Sequence, residues 1–332
     1  MKLDITIHKG NPDKPAIIFV HGLGMNKNIW VNPDEAKMVG GSLPIKYLLA
    51  RKPAIEHVPE TEESGIRPSR LFAGELPQDL KTSFDDLRQL GYTVISWSQK
   101  RPVGSIGIAV DELAAIVKTA KRLSRKGLIL IGHSRGGLIA RKYLERREGT
   151  ARGLITLATP HRGSTMAKWV EYISPIASFI NPMIRETDRR RVSQSIKRIL
   201  SFIEGRAIEE LLPESAFFQS LAKPDCKKIR CMSFGGTDPK LFTLYRWKVY
   251  ISGKKRTLKP EPVFSIPGML EKLIPEKLYP PELKNGYGDG LVSSESSRLP
   301  GCKNHYNLRL NHAEILFDKR VRNRIIEAVR EA

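Results

Sequence analysis

Leu128-Ile129-Leu130-Ile131-Gly132-His133-Ser134-Arg135-Gly136-Gly137 is the stretch on which the fold turns. Four apolar residues in a row suit a strand covered on both faces, where every position is buried. The run passes straight into G-x-S-x-G, and residues 136–148 then read as a helix. Strand, G-x-S-x-G and helix in that order form the pattern of a nucleophile elbow. The glycines have a physical reason. A strained turn projects the serine hydroxyl outward, and neighbouring side chains would clash there. The N-terminus of the following helix also aims backbone N–H groups at developing negative charge. Ser134 is therefore the candidate nucleophile.

Working outward, further apolar runs lie at 14–20, 91–97, 154–157, 229–234 and 306–310. Helical patterns lie between them. Residues 110–123 put Leu113, Ile116, Val117 and Ala120 on one stripe with Lys118, Lys121 and Arg122 outside it. Residues 314–332 close the chain with Ile315, Leu316, Val321, Ile325, Ile326 and Val329. This alternation predicts an α/β fold with a sheet and crossovers. Two stretches break it. Residues 26–90 read as an extended insertion, helical near 83–90. Residues 164–221 read as a helical excursion with unusual apolar surface: Trp169, Tyr172, Ile176 and Phe179, then the basic run Arg189-Arg190-Arg191.

The first apolar run ends in His21-Gly22-Leu23-Gly24. Glycines after a strand allow a tight path on which a backbone N–H points inward, which suits the other half of an oxyanion hole. A serine nucleophile needs a base, and the base needs an orienting acid. Among seven histidines, His21 and His133 belong to the motifs above, and His8 and His57 precede the nucleophile. His161 follows Thr159-Pro160 and suits a structural role. His312, in the loop opening the last helix, is preferred as base over His305. Asp238, in Gly-Gly-Thr-Asp-Pro after a strand, and Asp289, in Gly-Asp-Gly-Leu-Val-Ser, stand level as the acid, because Asp beside Gly is also a common turn signal.

Composition bounds the function. The chain has 332 residues, 40% of them hydrophobic, and a net charge of +21. A core of good size is available, and anionic partners are favoured. The positive excess is dispersed: residues 117–152 carry eleven Lys/Arg against two Glu, and residues 241–260 carry six against no acid. A dispersed excess suits a solvated surface better than a nucleic-acid arm. Cys226, Cys231 and Cys302 give neither a disulfide framework nor a zinc-type pair. The first residues contain no apolar signal region, and no run reaches membrane-spanning length. The expectation is a cytoplasmic protein, with peripheral contact to the inner face of a membrane as an option, and with no cofactor or metal.

At these residues the chain resembles the α/β-hydrolase superfamily, and within it lipase-like serine esterases. His21-Gly22-Leu23-Gly24 looks like the lipase oxyanion loop, and Gly132-His133-Ser134-Arg135-Gly136-Gly137 like the lipase elbow. Ala158-Thr159-Pro160-His161-Arg162-Gly163-Ser164 is similar to the "ATPHxGS" segment of triacylglycerol lipases and GPI-inositol-deacylase-like proteins. Leu212-Pro213-Glu214-Ser215-Ala216-Phe217-Phe218 resembles their stretch that ends the cap. Gly288-Asp289-Gly290-Leu291-Val292-Ser293 looks like their acid loop, and Asn311-His312 like their base loop. The resemblance implies an α/β-hydrolase core at 1–163 and 222–332, with a mostly parallel sheet, helices on both faces and a helical cap at 164–221. It implies Ser134 as nucleophile, His312 as base and Asp289, over Asp238, as acid. Leu23 and Arg135 would supply the oxyanion-hole N–H groups. The chain departs from the family at 26–90 and in a second, basic insertion at 241–284.

The expected function is hydrolysis of carboxylic esters of lipid type through an acyl-enzyme. An acyltransferase or a phospholipase would use the same three residues. A non-catalytic basic binding protein would explain the charge but leave Ser134, Asp289 and His312 without a purpose, and no nucleic-acid motif is present.

Overall fold

Three of the runs read as buried strands, at residues 16–20, 128–133 and 153–157, are buried at every position. In the computed structural model, which describes residues 3–42, 45–53, 56–58, 71–146, 151–166, 206–252 and 255–332, they lie in one seven-stranded sheet. Its strands are β1 (Asp4–His8), β2 (Ala16–Val20), β3 (Val94–Ser98), β4 (Leu128–His133), β5 (Gly153–Leu157), β6 (Arg230–Gly236) and β7 (His305–Leu308). They run in the order β1-β3-β2-β4-β5-β6-β7. All neighbours are parallel except the edge pair β1 and β3. The edge strand β1 lacks a long apolar run and was not expected.

Alternation along each strand divides the core in two. Ile17, Phe19, Ile129, Ile131, Ile155 and Leu157 point to one face, against Phe84 and Leu87 of α1 (Ser83–Gln89). Ala16, Ile18, Val20, Leu128, Leu130 and Leu154 point to the other. There they meet Ile106, Leu113 and Val117 of α2 (Ile106–Leu123), and Leu138 and Ile139 of α3 (Arg135–Arg146). The α1 terminus is fixed by Thr82, whose hydroxyl oxygen accepts from Phe84 N at 3.2 Å and whose proton goes to the Trp30 carbonyl at 2.6 Å.

The chain end differs from the single helix expected over 314–332. A short 3-10 turn, Glu314–Leu316, is followed by α4 (Lys319–Arg330). Asp318 makes the break. Its carboxylate accepts from Arg320 N at 2.9 Å and Val321 N at 3.4 Å, so it caps a new helix instead of extending the old turn. Val321, Ile325 and Val329 of α4 then join the α1 side of the core.

The two insertions meet. Phe242–Ser252 and Lys255–Ile266 form a long antiparallel hairpin, flanked by Glu56–Val58 on one side and Leu71–Phe72 on the other. This second sheet is rooted in a small cluster of Met166, Leu244, Phe264, Leu270, Ile274, Tyr279 and Leu283. Most of the expected cap falls outside the described residues. Its later part contains the short helices Arg206–Glu209 and Ala216–Ser220. One local disulfide, Cys226–Cys231, joins residues for which the sequence suggested no bridge, and the free Cys302 is buried. Among the described residues no helix is long and apolar enough to cross a membrane, and no group of three His, Cys, Asp or Glu could hold a metal.

Candidate active site

β2 and β4 are neighbours, but the connection that follows β2 leads to α1 on one face and β4 leads to α3 on the other. Such a divergence opens a crevice at the carboxyl ends of the two strands. Leu23 follows β2 there and Ser134 follows β4. Ser134 has φ +53°, a left-handed conformation unusual for a residue with a side chain. The turn is over-determined around it: Ser134 N donates to the Leu157 carbonyl at 2.8 Å, and Gly137 N to the Ser134 carbonyl at 3.0 Å. Gly132, His133, Arg135, Gly136 and Gly137 are buried, whereas Ser134 remains partly exposed. The elbow glycines are needed for contact. A Cβ at Gly132 would lie 2.5 Å from Gly137 Cα, and one at Gly136 would strike the Val20 carbonyl.

Two buried histidines frame the turn. His21 accepts from Gln99 N on Nε2 at 3.1 Å and donates from Nδ1 to the Gly22 carbonyl at 3.0 Å. Burial lowers its pKa to about 4, so it is neutral at ordinary pH. His133 faces the Gly22 turn with Nδ1 and donates from Nε2 to the His312 carbonyl at 3.1 Å. Burial holds His133 well below the usual histidine range. The residue before Ser134 thus anchors the backbone of His312, with the two rings 4.8 Å apart.

His312 and Asp289 form the centre of the second half. His312 Nδ1 lies 2.9 Å from Asp289 Oδ2, and His312 N donates to the Asp289 carbonyl at 3.0 Å. The other carboxylate oxygen accepts from Leu291 N at 3.0 Å and Val292 N at 2.7 Å. Asp289 is wholly buried and His312 nearly so. Asp238 does not share this arrangement. Its carboxylate accepts from Lys240 N at 3.2 Å in its own turn. The end of β6 leaves the space open: a Cβ at Gly236 would lie 2.6 Å from Asp289 Cβ. His305 sits on β7, bonded to Ser233 and Asn307. His161 is buried against Thr156.

Among the described residues, no turn or loop carbonyl accepts the N–H of Leu23 or of Arg135. The Arg135 side chain turns away from the site. It is fully buried and donates to Gln99 Oε1 at 3.0 Å, to the Pro102 carbonyl at 3.3 Å and to the Gly104 carbonyl. Burial lowers its pKa to about 10, so it stays charged near neutrality.

Comparison with solved structures bears on the fold. The mature form of Bacillus licheniformis lipase BlEst2 superposes with a TM-score of 0.53 at 15% identity, over 98% of this chain and 97% of that one. The chain has an α/β-hydrolase fold. The propeptide form of the same lipase gives a TM-score of 0.55 at 16% identity, over 98% of this chain, which spans only 53% of that longer protein. Residues 82–202 match the family model described as palmitoyl protein thioesterase, a segment that includes residues 132–137. No curated protein matches the sequence.

Two residues that order this candidate site were not singled out from the sequence. Gln99 bonds His21 and Arg135 together, and so joins the Leu23 turn to the elbow. Asn311 is 3% exposed, and its amide uses every polar valence. Its oxygen accepts from Ala313 N and Glu314 N at 2.9 Å. Its nitrogen donates to Leu48 O at 2.8 Å and Lys240 O at 2.9 Å. The sequence signal for Asn311 was its place beside His312; Gln99 had none.

Proposed function

We propose that this α/β hydrolase cleaves carboxylic esters of lipid type through a Ser134–His312–Asp289 triad. The observation that carries the reading is the Asp289–His312 pair, held by His133 beside a serine in a left-handed strand-to-helix turn. His312 takes the Ser134 proton as the hydroxyl oxygen attacks the ester carbonyl. Asp289 keeps His312 Nδ1 protonated, leaving Nε2 free as base, and stabilises the imidazolium that forms. The N–H groups of Leu23 and Arg135 receive the oxyanion, at about 3–4 kcal/mol of transition-state stabilisation per donor. His312 returns the proton to the leaving alcohol. Water then enters by the same route and releases the acid from Ser134.

The match to a palmitoyl protein thioesterase model supports a long acyl group, and it favours a second reading in which the bond is a thioester. The acyl-enzyme and the three residues are the same; only the leaving group differs. Residues 164–221 would cap the acyl chain, and the net charge of +21 supports peripheral contact with an anionic membrane. A phospholipase would use the same three residues, and in an acyltransferase an alcohol would replace water at the last step. The test is a panel of p-nitrophenyl esters from short to long, beside an acyl-thioester and a phospholipid, with Ser134→Ala as control. Hydrolysis lost in Ser134→Ala supports the reading. Hydrolysis retained in that variant, or none in the folded wild type on any substrate, overturns it.

A further inference from the structure

The hairpin Phe242–Ser252/Lys255–Ile266 takes no part in the chemistry, yet its strands of 11 and 12 residues are twice the usual length. Its root belongs to the site. Leu241 lies against Gly290, next to Asp289, and the Lys240 carbonyl is held by Asn311. Leu244 and Phe264 are buried there. Away from the root the strand opens to solvent until Tyr250 is 38% and Ile251 76% exposed.

The exposed face is cationic around an aromatic ring. Register places Arg246 opposite Glu261, Lys248 opposite Lys259, and Tyr250 opposite Thr257. Lys259 Nζ sits 4.9 Å and Lys248 Nζ 5.5 Å from the Tyr250 ring centre. Glu261 is the face's acid, bonded by the Tyr250 hydroxyl at 2.5 Å and by Lys248 at 3.0 Å. Residues 241–260 carry six Lys/Arg and no acid.

We propose that the outer half of this hairpin docks on an anionic lipid bilayer. The hairpin enters end-on, so that Tyr250 and Ile251, which point to opposite faces of the strand, both reach the headgroup layer at its outer end, while Arg246, Lys248 and Lys259 meet lipid phosphates. This deepens the membrane-contact reading above and is independent of the ester chemistry. Amphipathic side chains with apolar bodies and polar tips settle at such an interface, and each cation near an anionic surface adds attraction. The exposed aliphatic Ile251 favours lipid over nucleic acid, whose single strands are bound by aromatic faces open for base stacking. The Tyr250 ring is instead flanked by lysines.

The test is co-sedimentation of the full chain with phosphatidylcholine vesicles, with and without phosphatidylglycerol. Wild type, Ile251→Ser and the double variant Lys248→Gln/Lys259→Gln are compared, with hydrolysis of a short soluble ester as the check on folding. Wild type should bind only the anionic vesicles, less tightly as salt rises. The double variant should bind about tenfold or more weakly at unchanged soluble-ester activity. Binding equal in all three proteins overturns the hairpin assignment but leaves membrane contact standing. Wild type that ignores anionic vesicles overturns both, and binding to single-stranded DNA in place of vesicles would transfer the surface to nucleic acid.

Discussion

Asp289 and His312 hold each other twice. The carboxylate faces His312 Nδ1 at 2.9 Å, while the Asp289 carbonyl accepts the His312 backbone N–H at 3.0 Å. The second bond sets where the His312 loop runs, and the first sets the ring's tautomer. Asp238, although it follows a strand of the sheet directly, bonds its own turn at Lys240. Asp289→Asn should therefore lower kcat by roughly 10⁴-fold, as loss of the orienting acid does in serine proteases. Asp238→Asn should leave kcat/KM essentially unchanged. Steady-state kinetics on one soluble ester decide it, and the reverse ranking would make Asp238 the acid.

Asn311 should act as a positioning residue. Asn311→Asp would turn a carboxylate oxygen toward the Leu48 and Lys240 carbonyls, which now accept from the amide. Displacing the loop that carries His312 should lower kcat by roughly 10–100-fold, because misplacement of about 1 Å can have that effect. KM for a short ester should change little. A variant that loses thermal stability but keeps kcat would reduce Asn311 to a structural tie.

Acid should destabilise the fold through its buried histidines. His21 has a pKa of about 4, and His133 and His161 lie well below the usual value, each mainly because burial disfavours the charged form. Between about pH 6.5 and 4 the unfolded chain binds protons that the folded chain does not, so stability falls as pH falls. For His21 alone the loss approaches about 3 kcal/mol by pH 4. Urea unfolding midpoints at pH 7, 6 and 5 should decline in that order, and a flat series would contradict the buried neutral histidines.

The elbow glycines should differ from an ordinary helical glycine. Gly136→Ala drives a methyl into the Val20 carbonyl and within 2.7 Å of the His21 carbonyl. Backbone must move, at about 1–3 kcal/mol, and the Ser134 turn moves with it. Gly107, in the first turn of α2, has nothing nearer than 3.9 Å. Gly107→Ala should stabilise by about 0.5–1 kcal/mol. Equal effects in thermal melts would refute the close packing of the elbow.

Local physics made the centre of the molecule legible from sequence. β2, β4 and β5 are apolar runs because both faces of the sheet are covered, and the crowding at Gly132 and Gly136 leaves its mark as G-x-S-x-G. The second sheet left no such mark. Tyr245 pairs with Phe72, and Leu258 with Glu56, across nearly the whole core in sequence, and pairing at that distance has no local pattern. Residues alone left Asp238 and Asp289 level, because the choice depends on space beside Gly236, a tertiary property. The resemblance supplied the preference that the residues could not.

The central claim is that Ser134 is an activated nucleophile, and covalent labelling with a fluorophosphonate tests it most directly. The account predicts a single adduct on the peptide containing Ser134, lost in Ser134→Ala and formed far more slowly in His312→Ala. A folded protein that takes no label, or one labelled on another residue with Ser134 unmodified, would contradict it.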